Sequence, residues 1–278
     1  MTSSAGLAGR RVGITADRRW RAQADLLVES GAEVMHAPTI RTVDLSRDEA
    51  LRQATLALVD RPPHFLVGST GMGITMWLEA ADAWDLGETL RDALRHTRIV
   101  ARGAKARSAF RRLGFEVAWE APSETMEEVV EYLTGQGLDS ARVALQLFDP
   151  AGHPSTAALA ARCHELVEVP VYRWLLPDDT GPADRLIEEM CAGGIDAVTF
   201  TSQPAVHHLF RIAEAAGRAD ELRSACNGPV LAVCVGPVCA EAARDEGIIR
   251  TVWPDPPRLS AMVRLVVSEL AGPRDGRG

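Results

Sequence analysis

His64-Phe65-Leu66-Val67-Gly68-Ser69, then Gly103, then Gly114: this string recurs about one domain's length later as Ala197-Val198-Thr199-Phe200-Thr201-Ser202, Gly236 and Gly247, with its intervals kept. A short apolar, β-prone run that ends in hydroxyl side chains predicts a buried strand turning into a helix. Each first glycine marks a second strand-to-helix turn. Each second glycine ends the helix that follows, which is polar and Ala-rich from Ala104 to Leu113. Two copies of such a string predict two similarly built α/β lobes, with any shared site between them.

Working outward, Arg11 to Thr15 predicts a strand, Asp17 to Ser30 a helix stopped at Gly31, and Glu33 to Pro38 a second strand closed by a proline that cannot donate into a ladder. Two strands are too few for an independent sheet, so this segment must join a later part of the chain. The polar stretch after Ile40 predicts a crossing into the other lobe, and the β-prone run Leu166 to Leu176, broken by Pro170, predicts the return. The expected organisation is α/β, with residues 1–40 and 171–278 forming a discontinuous lobe one and residues 42–168 forming lobe two. Linkers are expected near 38–42 and 168–176. Alternation of short apolar runs with helical patterns in each part predicts parallel sheets covered on both faces.

Composition narrows the function. At 278 residues, 46% hydrophobic and 24% charged, the chain is an ordinary globular one, and a net charge of -8 argues against direct nucleic-acid binding by this segment. Five cysteines without close spacing, Cys163, Cys191, Cys226, Cys234 and Cys239, predict reduced thiols and a cytoplasmic setting, with no metal site. No apolar run reaches the roughly 20 residues a membrane helix needs.

Ser69-Thr70-Gly71-Met72-Gly73 lies where open α/β sheets bind ligands, at a strand end facing a helix N-terminus with free backbone N–H groups. Its bland alternative is a turn with a hydroxyl cap. Thr201-Ser202-Gln203-Pro204 holds the matching place in the other lobe, and Arg102-Gly103 and Gly236-Pro237 end the neighbouring strands. Paired turns of this kind suit carboxylates held from two sides. Arg102, Lys105 and Arg107, and Arg18, Arg19 and Arg21, offer local positive charge or solvated helix faces. His153 stands in a turn, and the adjacent His207 and His208 point in different directions, which argues against a shared metal. Tyr172 in the return crossing is either a sheet-surface residue or a phenol reaching a cleft. No Walker lysine and no spaced dinucleotide fingerprint is present, so no nucleotide cofactor is expected, and no Ser/His/Asp set assembles by spacing.

The opening strand ending near Thr15, Gly31-Ala32-Glu33-Val34 leading to Pro38, Val169-Pro170-Val171-Tyr172, Phe200-Thr201-Ser202 and Val235-Gly236-Pro237 together resemble the uroporphyrinogen-III synthase family over roughly Gly9 to Leu270. The resemblance implies two flavodoxin-like lobes joined by a two-stranded linker. It implies a monomeric enzyme that closes hydroxymethylbilane, an anionic linear tetrapyrrole, with inversion of ring D and loss of water, using no cofactor. Tyr172 matches the family's catalytic tyrosine. The substrate-binding set would comprise Thr15, Ser69, Thr70, Gly71, Arg102, Gly103, Thr201, Ser202, Gln203, Gly236, Pro237 and Cys239. The chain departs from the family pattern at Ala16, Ala106 and Cys239, where arginine or threonine is common. Those departures are similar to an actinobacterial branch fused to a DNA-binding regulatory domain, so a noncatalytic tetrapyrrole sensor stands beside the enzyme as an alternative.

Overall fold

The computed structural model describes residues 6–147 and 154–271. The chain divides into two compact units, Met1–Arg41 with Trp174–Gly278, and Thr42–Arg173, called lobe one and lobe two below.

Lobe one contains β1 (Arg11–Ile14), α1 (Trp20–Glu29) and β2 (Glu33–His36) before the chain leaves through β3 (Arg41–Asp44). Lobe two follows as α2 (Glu49–Asp60), β4 (Phe65–Gly68), α3 (Gly71–Ala83), α4 (Gly87–Ala93), β5 (Arg98–Ala101), α5 (Ala104–Arg112), β6 (Val117–Glu120), α6 (Met126–Gly135), β7 (Arg142–Gln146), α7 (Pro154–Ala160) and β8 (Glu165–Val169). The return strand β9 (Tyr172–Leu175) pairs with β3. Lobe one is completed by α8 (Gly181–Cys191), β10 (Ala197–Phe200), α9 (Gln203–Ala215), α10 (Ala219–Asn227), β11 (Leu231–Cys234), α11 (Pro237–Asp245), β12 (Thr251–Val252) and α12 (Leu259–Leu270).

Each lobe is built on a parallel sheet of five strands, ordered β12-β11-β10-β1-β2 in lobe one and β6-β5-β4-β7-β8 in lobe two. In lobe one's own chain order its sheet reads 2-1-3-4-5, the flavodoxin-like arrangement. Lobe two has the same spatial arrangement entered at a different strand. The repeated strands β4 and β10 are the central ones. They lie beside β7 and β1 respectively, the point where strand order reverses.

Period-two alternation explains how lobe one covers both sheet faces. Val12, Ile14, Ala197, Leu231 and Val233 pack with Leu27, Met262 and Val266 on one face. Val198, Phe200, Ala232 and Cys234 pack with Leu186, Met190, Leu209 and Phe210 on the other. Neighbouring residues along a strand thus serve opposite faces, and the inner strands β10 and β11 are buried throughout.

Three local readings are corrected. The run Leu166–Leu176 is not one crossing: Pro170 divides it, the first half joins β7 as the edge strand β8, and only the second half pairs with β3. The turn Ser69–Gly73 is not all loop: α3 already begins at Gly71, because Thr70 caps it by accepting from the Gly73 N–H at 3.1 Å. The helix α10 was not anticipated; its amphipathic stretch is short and buries Leu222, Ala225 and Cys226.

Candidate functional site

Strand ends on the carboxyl side of β4 and β7 converge in lobe two because the two strands are register neighbours, Gly68 facing Gln146. Ser69 follows directly. Its buried hydroxyl donates to the Gln146 carbonyl at 2.7 Å, and its chain neighbour Thr70 donates its N–H to Gln146 Oε1 at 3.0 Å. Gly71 is required where it stands, since a Cβ there would lie 2.4 Å from the Lys105 carbonyl oxygen. Gly73 likewise leaves space for the amide of Gln146, which would sit 2.3 Å from an added Cβ.

Tyr172 enters this cluster from the linker strand. It is fully buried, and its hydroxyl donates to Thr70 Oγ1 at 3.1 Å. The phenol thus lies at the polar turn that follows β4. Arg102 follows β5, half-buried; burial pushes its pKa down, opposed by the nearby Tyr172, Glu124 and Glu127. Ser69, Thr70, Gly71, Arg102 and Tyr172 are therefore brought together within lobe two. Gly103 adjoins them as the extended N-cap of α5, and the Glu124 carboxylate accepts from the Ala104 N–H at 3.1 Å.

In lobe one the matching groups lie at the ends of β1, β10 and β11. Thr15 is fully buried and its hydroxyl donates to the Thr199 carbonyl at 2.8 Å. Thr201, Ser202 and Gln203 are half-buried at the start of α9, and Ser202 Oγ is buried without a hydrogen-bond partner among the described residues. Gly236 is the N-cap of α11 and Pro237 its exposed first residue. The Cys239 thiol is buried and donates to the Phe200 carbonyl at 3.5 Å; hydrogen bonding with the free Cys234 thiol, together with burial, holds its pKa well above the usual thiol range. Ala106, its counterpart in lobe two, is also buried.

Other candidates have structural partners. Arg107 pairs with Glu120 at 2.6 Å, and Arg21 lies over the Trp20 ring. His207 meets Glu246 at 2.6 Å while His208 contacts the Thr39 carbonyl at 3.1 Å, so the adjacent imidazoles do face apart. His153 lies outside the described residues. Among the described residues no group of three or more His, Cys, Asp or Glu side chains is placed to hold a metal ion, and no helix is long and apolar enough to cross a membrane.

Gln146 was missed by sequence reading. A signal existed: Leu145 pairs with Val67 as Ile14 pairs with Thr199, so Gln146 is the lobe-two counterpart of Thr15. Extending the repeat to the fourth strand would have singled it out.

Residues 22–264 match the family model described as uroporphyrinogen-III synthase HemD. The chain belongs to the uroporphyrinogen-III synthase family. It is 25% identical over 258 residues to the uncharacterized protein YjjA of Bacillus subtilis, covering 93% of this chain and 95% of that one. A putative uroporphyrinogen-III synthase of Methanothermobacter thermautotrophicus is 35% identical over 124 residues, 45% of this chain and 48% of the relative. Among solved structures, a mutant uroporphyrinogen III synthase from Thermus thermophilus aligns with a TM-score of 0.79 at 28% identity, covering 94% of this chain and 99% of that chain. The synthetase from Helicobacter pylori shares the fold, with a TM-score of 0.51 at 15% identity over 94% of this chain and 99% of that chain.

Proposed function

We propose that the chain is an active uroporphyrinogen-III synthase, closing hydroxymethylbilane with inversion of ring D and loss of water. The observation that carries this reading is the placement of the Tyr172 phenol on Thr70, beside Arg102, at the strand-order reversal of lobe two. The substrate's carboxylates are anionic, and Arg102 is the cation of that cluster. Binding holds the linear substrate so that its terminal ring attacks at the substituted carbon, through a spiro intermediate; orientation of this kind supplies much of an intramolecular acceleration. A phenol with an ordinary pKa of about 10 is a weak acid, so Tyr172 serves best as a hydrogen-bond donor to the departing hydroxyl. Ser202, with its unpartnered hydroxyl, is the lobe-one group best suited to receive a carboxylate. No metal or organic cofactor has a role in this chemistry.

The test is incubation with freshly prepared hydroxymethylbilane and separation of the product isomers. Wild-type protein should give the ring-D-inverted isomer, and Tyr172→Phe should lower kcat about 100-fold. Formation of the spontaneous symmetric isomer alone would overturn the reading.

One observation favours a noncatalytic tetrapyrrole-binding role instead. Ala106 and Cys239 stand in buried positions where the family pattern has hydroxyls, and the Cys239 thiol turns to the Phe200 carbonyl. Tetrapyrrole binding in calorimetry without turnover would select that role.

A further inference from the structure

Within lobe two, the hydroxyl of Thr70 has three polar neighbours. The Gly73 N–H donates to it at 3.1 Å, Tyr172 lies at 3.1 Å and Gln146 Oε1 at 3.4 Å. A hydroxyl has a single proton to give, so the orientation of the Gln146 amide decides where that proton points. The amide orientation is itself fixed. Thr70 N–H is a backbone donor and must meet Oε1, at 3.0 Å, while the amide Nε2 donates to the Leu147 carbonyl. Gln146 is fully buried, and Gly73 is the gap into which its amide fits.

With Oε1 facing Thr70, the threonine proton goes to Gln146. The threonine oxygen is then left to accept from Tyr172. We infer that Gln146 is a positioning residue: it makes Thr70 an acceptor and thereby aims the Tyr172 O–H inward, along a chain running Tyr172 to Thr70 to Gln146. This assignment rests on the proposed role of Tyr172 only for its catalytic consequence; the bond order itself is a property of the unliganded protein. Tyr172, Glu124 and Glu127 all act on the Arg102 guanidinium, and those charged groups are the same in every variant below.

The sign follows from which protonation state is bonded. A phenol that donates to Thr70 is held in its neutral form. Once Gln146 no longer accepts, the Thr70 proton turns toward Tyr172 and stabilises the phenolate. The chain has two tyrosines, so Tyr132→Phe leaves Tyr172 as the sole phenol, read by tyrosinate absorbance as pH is raised. Tyr132 stacks on Trp119 and lies outside this cluster.

In the Tyr132→Phe background, Gln146→Met should lower the Tyr172 midpoint by about one pH unit. Thr70→Val should lower it too, and Thr70→Ser should return it to the parent value. The double variant Gln146→Met with Thr70→Val should shift it no further than Thr70→Val alone, because both act through one hydroxyl. A midpoint unmoved by Gln146→Met in a protein whose circular dichroism is native overturns the inference. If Gln146→Met does not fold, failure of Thr70→Ser to recover what Thr70→Val loses overturns it equally. The titration decides the inference whether or not the wild type turns over hydroxymethylbilane, so the enzymatic reading can fail alone.

Discussion

The helices α5 and α11 leave their sheets through the same glycine geometry, φ -175° and ψ -179° at Gly103 and φ -175° and ψ 179° at Gly236, yet their surroundings differ. The same contrast holds one strand away. Thr70, the N-cap of α3, accepts from Gly73 and Tyr172, whereas Ser202, the N-cap of α9, is buried without a partner among the described residues. Lobe two has turned its repeated turns inward, into a cluster that holds Thr70 and Tyr172. In lobe one Thr15 and Cys239 are also bonded, to the Thr199 and Phe200 carbonyls, and Ser202 stands apart from them. Duplicated backbone thus carries different polar contacts, one copy rigid around a phenol and the other with a serine hydroxyl unpartnered among the described residues.

The largest expected effect breaks the rigid copy. Gly71→Ala would drive a Cβ to 2.4 Å from the Lys105 carbonyl oxygen, a backbone atom of α5 that no rotamer change can move. The expected loss is about 3 kcal/mol, measured by urea unfolding. Gly103→Ala meets side-chain rather than backbone atoms, the Cδ, Cγ and Cβ of Glu124 at 2.7, 2.8 and 3.0 Å, and should cost less, about 1 kcal/mol. Equal losses at the two glycines would show that the α3–α5 approach is not the constraint. In lobe one the first residue of α9 is Gln203, so a side chain stands there in the place of Gly71.

What could be read from the sequence follows the same division. The paired strands, the glycines and the discontinuous lobe one were legible because a repeat doubles every signal, and Gly114 and Gly247 both adopt the left-handed backbone of helix ends, at φ +87° and +83°. The turn serines and Tyr172 were legible as candidates. Their partners were not: Ser69 to Gln146 and Tyr172 to Thr70 are contacts between residues far apart in the chain, and nothing in local composition marks them. The edge strand β8 was misread for a related reason. Leu166–Val169 and Tyr172–Leu175 have the same β-prone character, and only the proline between them hints that they serve different sheets.

A middle-sized effect sharpens the comparison at the serines. Ser69→Ala removes a buried hydrogen bond of 2.7 Å and leaves part of the acceptor capacity of Gln146 unused, at a cost of about 1 kcal/mol in unfolding free energy. Ser202→Ala removes a hydroxyl that bonds nothing among the described residues, so stability should stay within about 0.5 kcal/mol of the parent. Affinity should reverse the order. If Ser202 receives a substrate carboxylate, calorimetric affinity for a tetrapyrrole polycarboxylate should fall about tenfold in Ser202→Ala. A destabilised Ser202→Ala with unchanged binding would make the two serines equivalent and end the contrast.

The smallest effect concerns why only one helix start carries a carboxylate. Ala104 offers a first-turn N–H that Glu124 accepts, and Glu124 holds a left-handed backbone, φ 59°, to do so. At α11 the first residue is Pro237, which has no N–H to satisfy, so no acidic side chain is needed there. Glu124→Ala should therefore cost about 0.5–1 kcal/mol, since it loses the bond to the helix start while keeping an unfavourable φ. Glu124→Gly loses the same bond but relieves the backbone, and should recover part of that cost. High salt should reduce the difference between parent and Glu124→Gly, because a charge at an exposed helix end is screened. If Glu124→Ala and Glu124→Gly were equally stable, the left-handed residue would not be strained. The asymmetry between the lobes would then rest on Pro237 alone.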